Sequence, residues 1–212
     1  MTRKKASRGI SSPAPQAIAV LASGTGSILG SIIEHGPPVA LVVTDRPCAA
    51  LDVAAAASIP AVAICRRDFG YRAGIGEAWD RRGFTCAVSD ALDARSITLV
   101  AMAGFFTIFH EVIFERYANR MLNTHPALLP AFKGAHAVQD TLAAGVPVTG
   151  PTIHVATEVL DDERHIIAQS ATVPVLAGDD VDTLWERVKA EERRLYPQVL
   201  WDLVNGKIDL EL

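Results

Sequence analysis

A glycine-rich turn between an apolar strand and an amphipathic helix constrains the fold of this chain more than any other feature. The run Ala17-Ile-Ala-Val-Leu-Ala22 is short and continuously apolar, and it breaks at Ser23-Gly-Thr-Gly-Ser27. Apolar residues then return at helical spacing between Ile28 and Ile33. This pattern predicts a buried strand, a tight turn and a helix, which is one unit of a layered α/β fold.

The same alternation of strand and helix continues through the first half of the chain. Apolar runs predict strands over residues 39–43, 59–64 and 97–103, and helical spacing predicts helices over about 49–57 and 86–94. Continuously apolar strands are expected where helices cover both faces of a parallel sheet. We therefore predict an α/β fold with a doubly wound, mostly parallel sheet and helices on both faces.

After Gly104 the pattern becomes less regular. The sequence predicts a helix near 109–117, a short strand at 121–123, a turn at 125–130, a helix at 138–144, β segments at 149–156 and 166–175, and a long C-terminal helix at 181–204. Residues 1–16 contain Arg3, Lys4, Lys5 and Arg8 without an acidic residue. We predict a disordered basic leader at 1–16 and a single domain at 17–212.

Charge and cysteine content exclude several classes of protein. The formal charge is −4, and removing the four basic residues of the leader makes it −4 − 4 = −8 for the remaining chain, which argues against binding nucleic acid. No apolar run approaches the roughly 20 residues of a membrane-spanning helix, so no membrane association is expected. The three cysteines are far apart and lack metal-ligand spacing, which indicates a reducing, cytoplasmic location.

The glycine turn is a candidate anion site. Backbone N–H groups and a helix N-terminus meet at Gly24, Thr25, Gly26 and Ser27, which suits a phosphate. A dinucleotide-binding site would need glycine at the position of Leu29. Asp45, at the end of the second predicted strand, is nevertheless consistent with a dinucleotide-binding site. The glycines could equally serve only the backbone geometry of the turn.

A second candidate site is the segment Asn123-Thr-His125. Side chains at i and i+2 of a strand project from the same face, so Asn123 and His125 could both donate to a developing oxyanion. A lone histidine is more often structural, and His154 on an apolar segment is more often packed than catalytic. Asp161 and Asp162 are the carboxylates able to raise the pKa of a nearby histidine, unless they are merely solvated.

Taken together, five segments resemble the phosphoribosylglycinamide formyltransferase family of folate-dependent enzymes. They are Leu21-Ala-Ser-Gly-Thr-Gly-Ser27, Ala103-Gly-Phe105, Leu122-Asn-Thr-His-Pro-Ala-Leu-Leu-Pro130, Thr152-Ile-His154 and Leu160-Asp161. The resemblance covers roughly residues 18–206 and implies a Rossmann-like formyltransferase fold. It implies transfer of a formyl group from 10-formyltetrahydrofolate to the amine of glycinamide ribonucleotide, with no metal required. The resemblance is compatible with either a monomer or a homodimer.

The resemblance also implies roles for individual residues. Asn123 and His125 would bind the formyl oxygen, and Asp161 would hold the imidazole protonated. The glycine turn of Gly24, Thr25, Gly26 and Ser27 would bind the substrate phosphate, with Lys189 and Glu192 near the glycinamide end. Folate would lie against Phe105, Phe106, Thr107, Ile108, Phe109, Val155, Ala156 and Asp161. Residues 17–103 would then form a phosphate-binding half, and residues 104–212 a folate-binding and catalytic half.

The chain departs from the family pattern at three places. Thr107 replaces a common arginine, Ile28 replaces a common asparagine, and Leu160-Asp-Asp-Glu-Arg-His-Ile166 replaces the usual Leu-Asp-Gly-Gly-Pro. Counting forward from His154 selects Asp161 as the family carboxylate, whereas counting back from Gln169 selects Asp162. Loss of both glycines predicts a reshaped loop on the folate side.

These departures keep three alternatives open. The chain could formylate another amine or hydrolyse formyltetrahydrofolate as a deformylase. It could also be a non-catalytic relative that binds folate or a nucleotide. A nicotinamide-dependent oxidoreductase is disfavoured by the glycine spacing.

Overall fold

The computed structural model describes residues 17–72 and 79–210; the predicted leader at 1–16 lies outside them. Nine strands are present in the described part of the chain. They are β1 (Ile18–Ala22), β2 (Val39–Thr44), β3 (Ala61–Ala63), β4 (Leu99–Met102), β5 (Met121–His125), β6 (Val148–Thr149), β7 (Thr152–Val155), β8 (Ile166–Gln169) and β9 (Val173–Pro174).

Six α-helices accompany these strands in the same ranges. They are α1 (Ser27–His35), α2 (Ala50–Ala56), α3 (Arg81–Asp93), α4 (Val112–Arg116), α5 (Ala137–Ala143) and α6 (Val181–Val204). Two short 3₁₀ helices cover Arg66–Phe69 and Glu163–His165. None of the helices in the described residues is both long enough and apolar enough to cross a membrane.

Seven strands form one sheet in the order β3-β2-β1-β4-β5-β7-β8. The pairs from β3 through β5 are parallel, whereas β7 is antiparallel to both β5 and β8. The connections reverse direction between β1 and β4, and ligands bind open α/β sheets at such a point, beyond the carboxyl ends of the strands. There the backbone N–H of Ser23 donates to the carbonyl of Gly104 at 3.2 Å, joining the glycine turn to the end of β4.

Two hydrophobic clusters cover the two faces of the sheet. One packs α1, α2 and α6 against residues such as Val20 and Leu122, and the other packs α3 and α4 against residues such as Leu21 and Met121. Neighbouring residues of one strand belong to opposite clusters because side chains alternate between the faces of a sheet. The doubly wound, mostly parallel sheet predicted from the sequence is confirmed.

The long C-terminal helix is also confirmed, and its first turn is explained by a local cap. Asp180 caps α6 by accepting from the N–H of Thr183 at 2.8 Å, and the Thr183 hydroxyl accepts from the N–H of Asp180 at 2.9 Å. Further along the helix, the hydroxyl of buried Tyr196 donates to the carbonyl of Leu122 in β5 at 2.9 Å. This bond ties α6 to the strand that contains Asn123 and His125.

Several predicted elements differ in length from the observed ones. The strand predicted at 59–64 is only Ala61–Ala63, and the helix predicted at 109–117 is only Val112–Arg116. The helix predicted at 86–94 begins earlier, at Arg81, because Asp80 accepts from the N–H of Gly83 at 2.7 Å and caps it.

The two β segments predicted at 149–156 and 166–175 are each interrupted. Gly150 approaches Ser170 so closely that a Cβ atom would lie 1.6 Å from the Ser170 carbonyl oxygen, and Pro151 has no N–H to donate to a neighbouring strand. Each predicted segment therefore divides into two strands. β7 and β8 join the large sheet, while β6 and β9 pair in a separate antiparallel ribbon.

Candidate active site

The carboxyl end of β5 presents polar side chains to both faces of the sheet. Asn123 and His125 share the face that α3 and α4 cover, and Thr124 faces α6 on the other side. The antiparallel pairing with β7 places Asn123 directly opposite His154. Asn123 and His125 thus lie on one face of the sheet, and Thr124 contacts α6 on the other.

His125 is buried between two hydrogen-bond acceptors. Its Nδ1 lies 3.3 Å from Oδ1 of Asp161, and its Nε2 lies 2.8 Å from the carbonyl oxygen of Phe132. A carboxylate and a carbonyl can only accept, so this ring lies between two groups to which its nitrogens can donate. A cationic donor is what a developing oxyanion needs nearby.

Asp161 is held in its ionised form. Burial opposes the charge, but the hydrogen bond from His125 and the bond from the N–H of Gly134, 2.8 Å from Oδ2, outweigh burial and lower the pKa of Asp161 below its ordinary value. The backbone of Asp161 has a φ of 51°, a left-handed conformation that aspartate tolerates better than most residues. The turn thus forms without either family glycine.

His154 is the partner that orients Asn123. Its Nδ1 lies 3.1 Å from the carbonyl oxygen of Val155, and its Nε2 lies 3.4 Å from Nδ2 of Asn123. We assign Nδ1 as the donor and Nε2 as the acceptor, which makes the ring neutral. Desolvation lowers the pKa of His154 and favours the same neutral form. The Asn123 carboxamide is therefore fixed by a neutral acceptor and keeps a second N–H to donate.

Asp162, the other carboxylate selected by sequence counting, has different partners. It caps the 3₁₀ helix Glu163–His165 by accepting from the N–H of Arg164, and it accepts from the Arg164 guanidinium at 2.6 to 3.1 Å. These hydrogen bonds from Arg164 hold the pKa of Asp162 well below its usual range. Of the two aspartates, Asp161 is the one that contacts His125.

Glu192 is a buried carboxylate on the opposite side of β5. Its Oε1 accepts from the Thr124 hydroxyl at 2.9 Å, and only 4% of the residue is exposed. Burial raises the pKa of Glu192 to about 7, and the Thr124 bond and the Lys189 charge oppose this rise. Lys189, one turn earlier on α6, pairs with Glu186 at 2.7 Å and lies 4.7 Å from the centre of the Trp185 ring.

We expect Glu192→Gln to remove a pH-dependent part of the stability. A carboxyl with pKa about 7 in the folded chain and 4.5 when unfolded binds the proton more tightly in the folded state. Stability from this group is complete below pH 4.5 and falls as pH rises to about 7, by about 3 kcal/mol. Urea unfolding between pH 4.5 and 8 should therefore show that the free energy of unfolding falls more steeply with pH for wild type than for the variant. If the two free energies fell in parallel, the raised pKa of Glu192 would be contradicted.

The glycine turn has the geometry of a helix N-terminus that is open to a ligand. Gly26 has a φ of 74° and precedes α1, and a Cβ atom there would lie 2.8 Å from Cα of Ala50. Gly24 has no neighbouring atom within 4 Å of an added Cβ, and Thr25 and Ser27 lie beside these glycines in the turn. Gly24, Thr25 and Ser27 are exposed, whereas Gly26 is buried.

Gly26→Ala is expected to destabilise the chain, and Gly24→Ala is the matched control. Alanine at position 26 meets both a left-handed backbone and a clash with α2, so a loss of about 1–3 kcal/mol is expected. Alanine at position 24 meets neither constraint and should stay within about 0.5 kcal/mol of wild type. Thermal unfolding of both variants measures the difference, and equal melting temperatures would contradict the packed turn.

Comparison with known proteins places this geometry in a family. A family model described as formyl transferase matches residues 16–200. The chain belongs to the formyl transferase family. It is similar to the phosphoribosylglycinamide formyltransferase of Mycobacterium tuberculosis, with 44% identity over 86% of this chain and 82% of the relative. The relative of the same name from Bacillus subtilis is 32% identical over 88% of this chain and 94% of its own.

A solved structure agrees with the sequence comparisons. Glycinamide ribonucleotide transformylase 1 from Symbiobacterium toebii superposes with a TM-score of 0.82 and 34% identity. The superposition covers 92% of this chain and 90% of that one. The Rossmann-like formyl transferase fold expected from the sequence is therefore shown.

In this formyl transferase, the segment 105–109 divides its side chains between interior and surface. Phe105 and Phe109 stack with centroids 5.4 Å apart inside the α3–α4 cluster, and Thr107 donates to buried Asp45 at 2.5 Å. Phe106 and Ile108 are exposed, with Phe106 meeting the Trp185 ring edge to face at 6.3 Å. Thr107 is thus held inside the protein by its hydrogen bond to Asp45.

The remaining residues expected to contact folate lie at the end of β7. Val155 is buried in the cluster beneath α1 and α6, while Ala156 faces the opposite cluster and lines an open cavity of about 330 Å³ beside α4. Asp162 and Arg164 line the same cavity, directly after Asp161. Among the described residues, no group of three or more His, Cys, Asp or Glu could hold a metal ion.

Several residues of this formyl transferase site were not singled out by sequence reasoning. Thr124 lies between the two expected catalytic residues and contacts Glu192, while the backbones of Phe132 and Gly134 contact His125 and Asp161. The alternation of β5 alone would have placed Thr124 on the opposite face. The contacts of Phe132 and Gly134 depend on a long turn and have no local signal in the sequence.

Proposed function

We propose that this chain transfers the formyl group of 10-formyltetrahydrofolate to the amine of glycinamide ribonucleotide, a step of purine biosynthesis. The observation that supports it best is the division of the β5 end between two sites. Asn123 and His125 face Asp161, and Thr124 faces buried Glu192. Two substrates can therefore approach one strand end from different sides and meet there, and a bimolecular group transfer requires that its two reactants be held close together.

Oxyanion stabilisation would come from Asn123 and His125. The substrate amine attacks the formyl carbon, and the carbonyl oxygen becomes an oxyanion before the folate nitrogen departs. The second N–H of Asn123 and the Nε2–H of His125 would donate to this oxygen, and donors of this kind are worth most in the transition state. The Phe132 carbonyl now accepts from Nε2, so the formyl oxygen must displace it.

Asp161 supports the reaction in two ways. Its negative charge favours the imidazolium form of His125, since the two groups lie 3.3 Å apart. As an ionised carboxylate it would also accept a proton from the attacking nitrogen, through water, and the proton would then pass to the departing folate nitrogen. The transfer is balanced because the amine loses one proton and the folate nitrogen gains one.

The acceptor substrate would bind at the glycine turn and α6. Backbone N–H groups at the start of α1 would hold the phosphate, including those near Gly26 and Ser27. Glu192 would hold the glycinamide end, with Lys189 one turn away adding a positive charge. These roles assign residues 17–103 to phosphate binding and residues 104–212 to folate binding and catalysis, within one domain over 17–212.

The folate would lie on the α4 side, against 105–109 and the end of β7. Because Phe105, Thr107 and Phe109 direct their side chains into the protein, they would contact folate through backbone groups. Phe106, Ile108 and Ala156 can contribute side-chain surface.

We further propose a cytoplasmic location, which cell fractionation would test. Analytical ultracentrifugation would distinguish a monomer from a homodimer.

The test is an absorbance assay with purified protein, 10-formyltetrahydrofolate and glycinamide ribonucleotide. Loss of the formyl group only when the ribonucleotide is present would support the transferase. Loss without the ribonucleotide would instead indicate a deformylase. With no loss in either case, calorimetric titration of each substrate would show whether the chain only binds them, which would contradict the proposal.

A further inference from the structure

The open cavity beside α4 is lined by Arg164. This residue belongs to the loop 160–166, whose sequence departs from the family pattern. The cavity of about 330 Å³ is lined by Phe114 and Ala118 from the α4 region, by Ala156 and Thr157 after β7, and by Asp162 and Arg164. Asp161, which contacts His125, directly precedes this wall of the cavity. The cavity therefore adjoins the reacting end of the candidate site.

Arg164 is held in one orientation although 70% of its side chain is exposed. Its Nε lies 2.9 and 3.1 Å from the two carboxylate oxygens of Asp162, and its Nη2 lies 2.6 Å from Oδ2. Asp162 is itself 2% exposed and fixed by the backbone N–H of Arg164 at 3.1 Å. A buried carboxylate thus fixes the plane of the exposed guanidinium of a residue that lines the cavity.

We propose that Arg164 is a specificity-determining residue for the formyl donor, whose flat guanidinium forms one wall of the cavity that receives the pterin ring of the folate. This inference rests on the proposed function and names residues for its donor side. A planar cation stacks favourably on an aromatic ring system, and its plane is already fixed before the ligand arrives. The aromatic side chain of Phe114 lines the same cavity and adds apolar surface.

The neutralising contact with Asp162 also suits this role. A lone arginine in the cavity would attract any anion, whereas the Asp162–Arg164 pair has no net charge and offers a flat face. Because the rotamers are fixed by the ion pair, binding loses little side-chain entropy. The site should therefore favour a flat, uncharged, aromatic group over a phosphate or carboxylate.

The experiment compares Arg164→Ala and Arg164→Lys with Arg116→Ala. Arg116 is another exposed, ion-paired arginine, bonded to Asp90 and Asp93, and it does not line the cavity. Steady-state kinetics should show the KM for 10-formyltetrahydrofolate about 2- to 30-fold higher in Arg164→Ala, as expected from loss of a cation–π contact. The KM for glycinamide ribonucleotide and kcat should stay within about twofold.

The lysine variant separates shape from charge. Lysine keeps the positive charge without the planar group, so its KM for the donor should stay close to that of the alanine variant. A wild-type KM in Arg164→Lys would overturn the stacking proposal, as would an equal KM in Arg164→Ala and Arg116→Ala. Lower kcat at unchanged donor KM would overturn it too, because it would place Arg164 in the chemical step.

Binding of tetrahydrofolate, followed by tryptophan fluorescence, keeps this test independent of turnover. If wild type transfers no formyl group, the proposed function fails, but weaker tetrahydrofolate binding by Arg164→Ala would still support the pterin wall. Thermal unfolding of each variant controls for loss of the ion pair between Asp162 and the Arg164 guanidinium. If Arg164→Ala melts early, the more conservative Arg164→Lys supplies the decisive comparison of tetrahydrofolate dissociation constants: an unchanged constant overturns the proposal.

Discussion

Replacing His125 with alanine is expected to lower kcat by roughly 10³-fold, within the range observed for loss of an oxyanion donor or a catalytic acid. The His125 ring, which contacts Asp161 and the Phe132 carbonyl, would donate mainly to the developing oxyanion in the proposed mechanism. Dissociation constants for both substrates should stay within a few fold, because little of this interaction exists before the transition state. Single-turnover assays and calorimetric titration measure the two quantities separately.

Two further variants make the His125 result specific. His35→Ala removes an exposed histidine at the end of α1 and should leave kcat unchanged. Asn123→Ala removes the second proposed donor and should cost roughly 10²-fold in kcat. Near-normal turnover in His125→Ala would remove His125 from the mechanism and with it the assigned role of Asp161.

Asp161→Asn is expected to lower kcat by roughly 10²-fold, and Asp162→Asn by less than about tenfold. Asparagine at position 161 cannot favour the imidazolium of His125 or accept a proton. Asp162 contacts Arg164 instead, so its substitution should disturb the loop more than the chemistry. Steady-state kinetics of both variants with saturating substrates measure the difference.

The dependence of activity on pH gives a second measurement on Asp161 and Asp162. Because the pKa of Asp161 is lowered in the folded chain, the ionised form is present above that pKa, and on the acidic side activity should fall as pH falls through it. Asp161→Asn should lose this acidic limb, while Asp162→Asn keeps it. If Asp162→Asn proves the more damaging change, the catalytic carboxylate is Asp162 and the loop alignment moves by one residue.

Most of the fold could be predicted because its signals are local. Apolar strands alternating with helical spacing predicted the sheet, and the pattern from Val181 to Val204 predicted the long helix with its observed bounds. The failures occur where tertiary contacts decide. Gly150 divides a predicted strand because it touches Ser170, twenty residues away, and Asp80 extends α3 through a cap that the apolar pattern does not include.

The candidate site was predicted unevenly for the same reason. The i, i+2 spacing of Asn123 and His125 placed them on one face, as the structure has them. The antiparallel register that sets His154 opposite Asn123 cannot be deduced from either segment alone. Sequence counting could not choose between Asp161 and Asp162, whereas distances to His125 and Arg164 distinguish them at once.

The alternation of β5 makes the two halves of the reaction separately adjustable. Thr124 contacts Glu192 of α6 on one side, while Asp161 contacts His125 on the other. In the proposed arrangement, with the acceptor on the Thr124 side and the donor on the other, a substitution on either side would change the preference for one substrate without rebuilding the pocket of the other. Directed evolution toward a new amine acceptor should concentrate on α6 and leave the residues around Asp161 untouched.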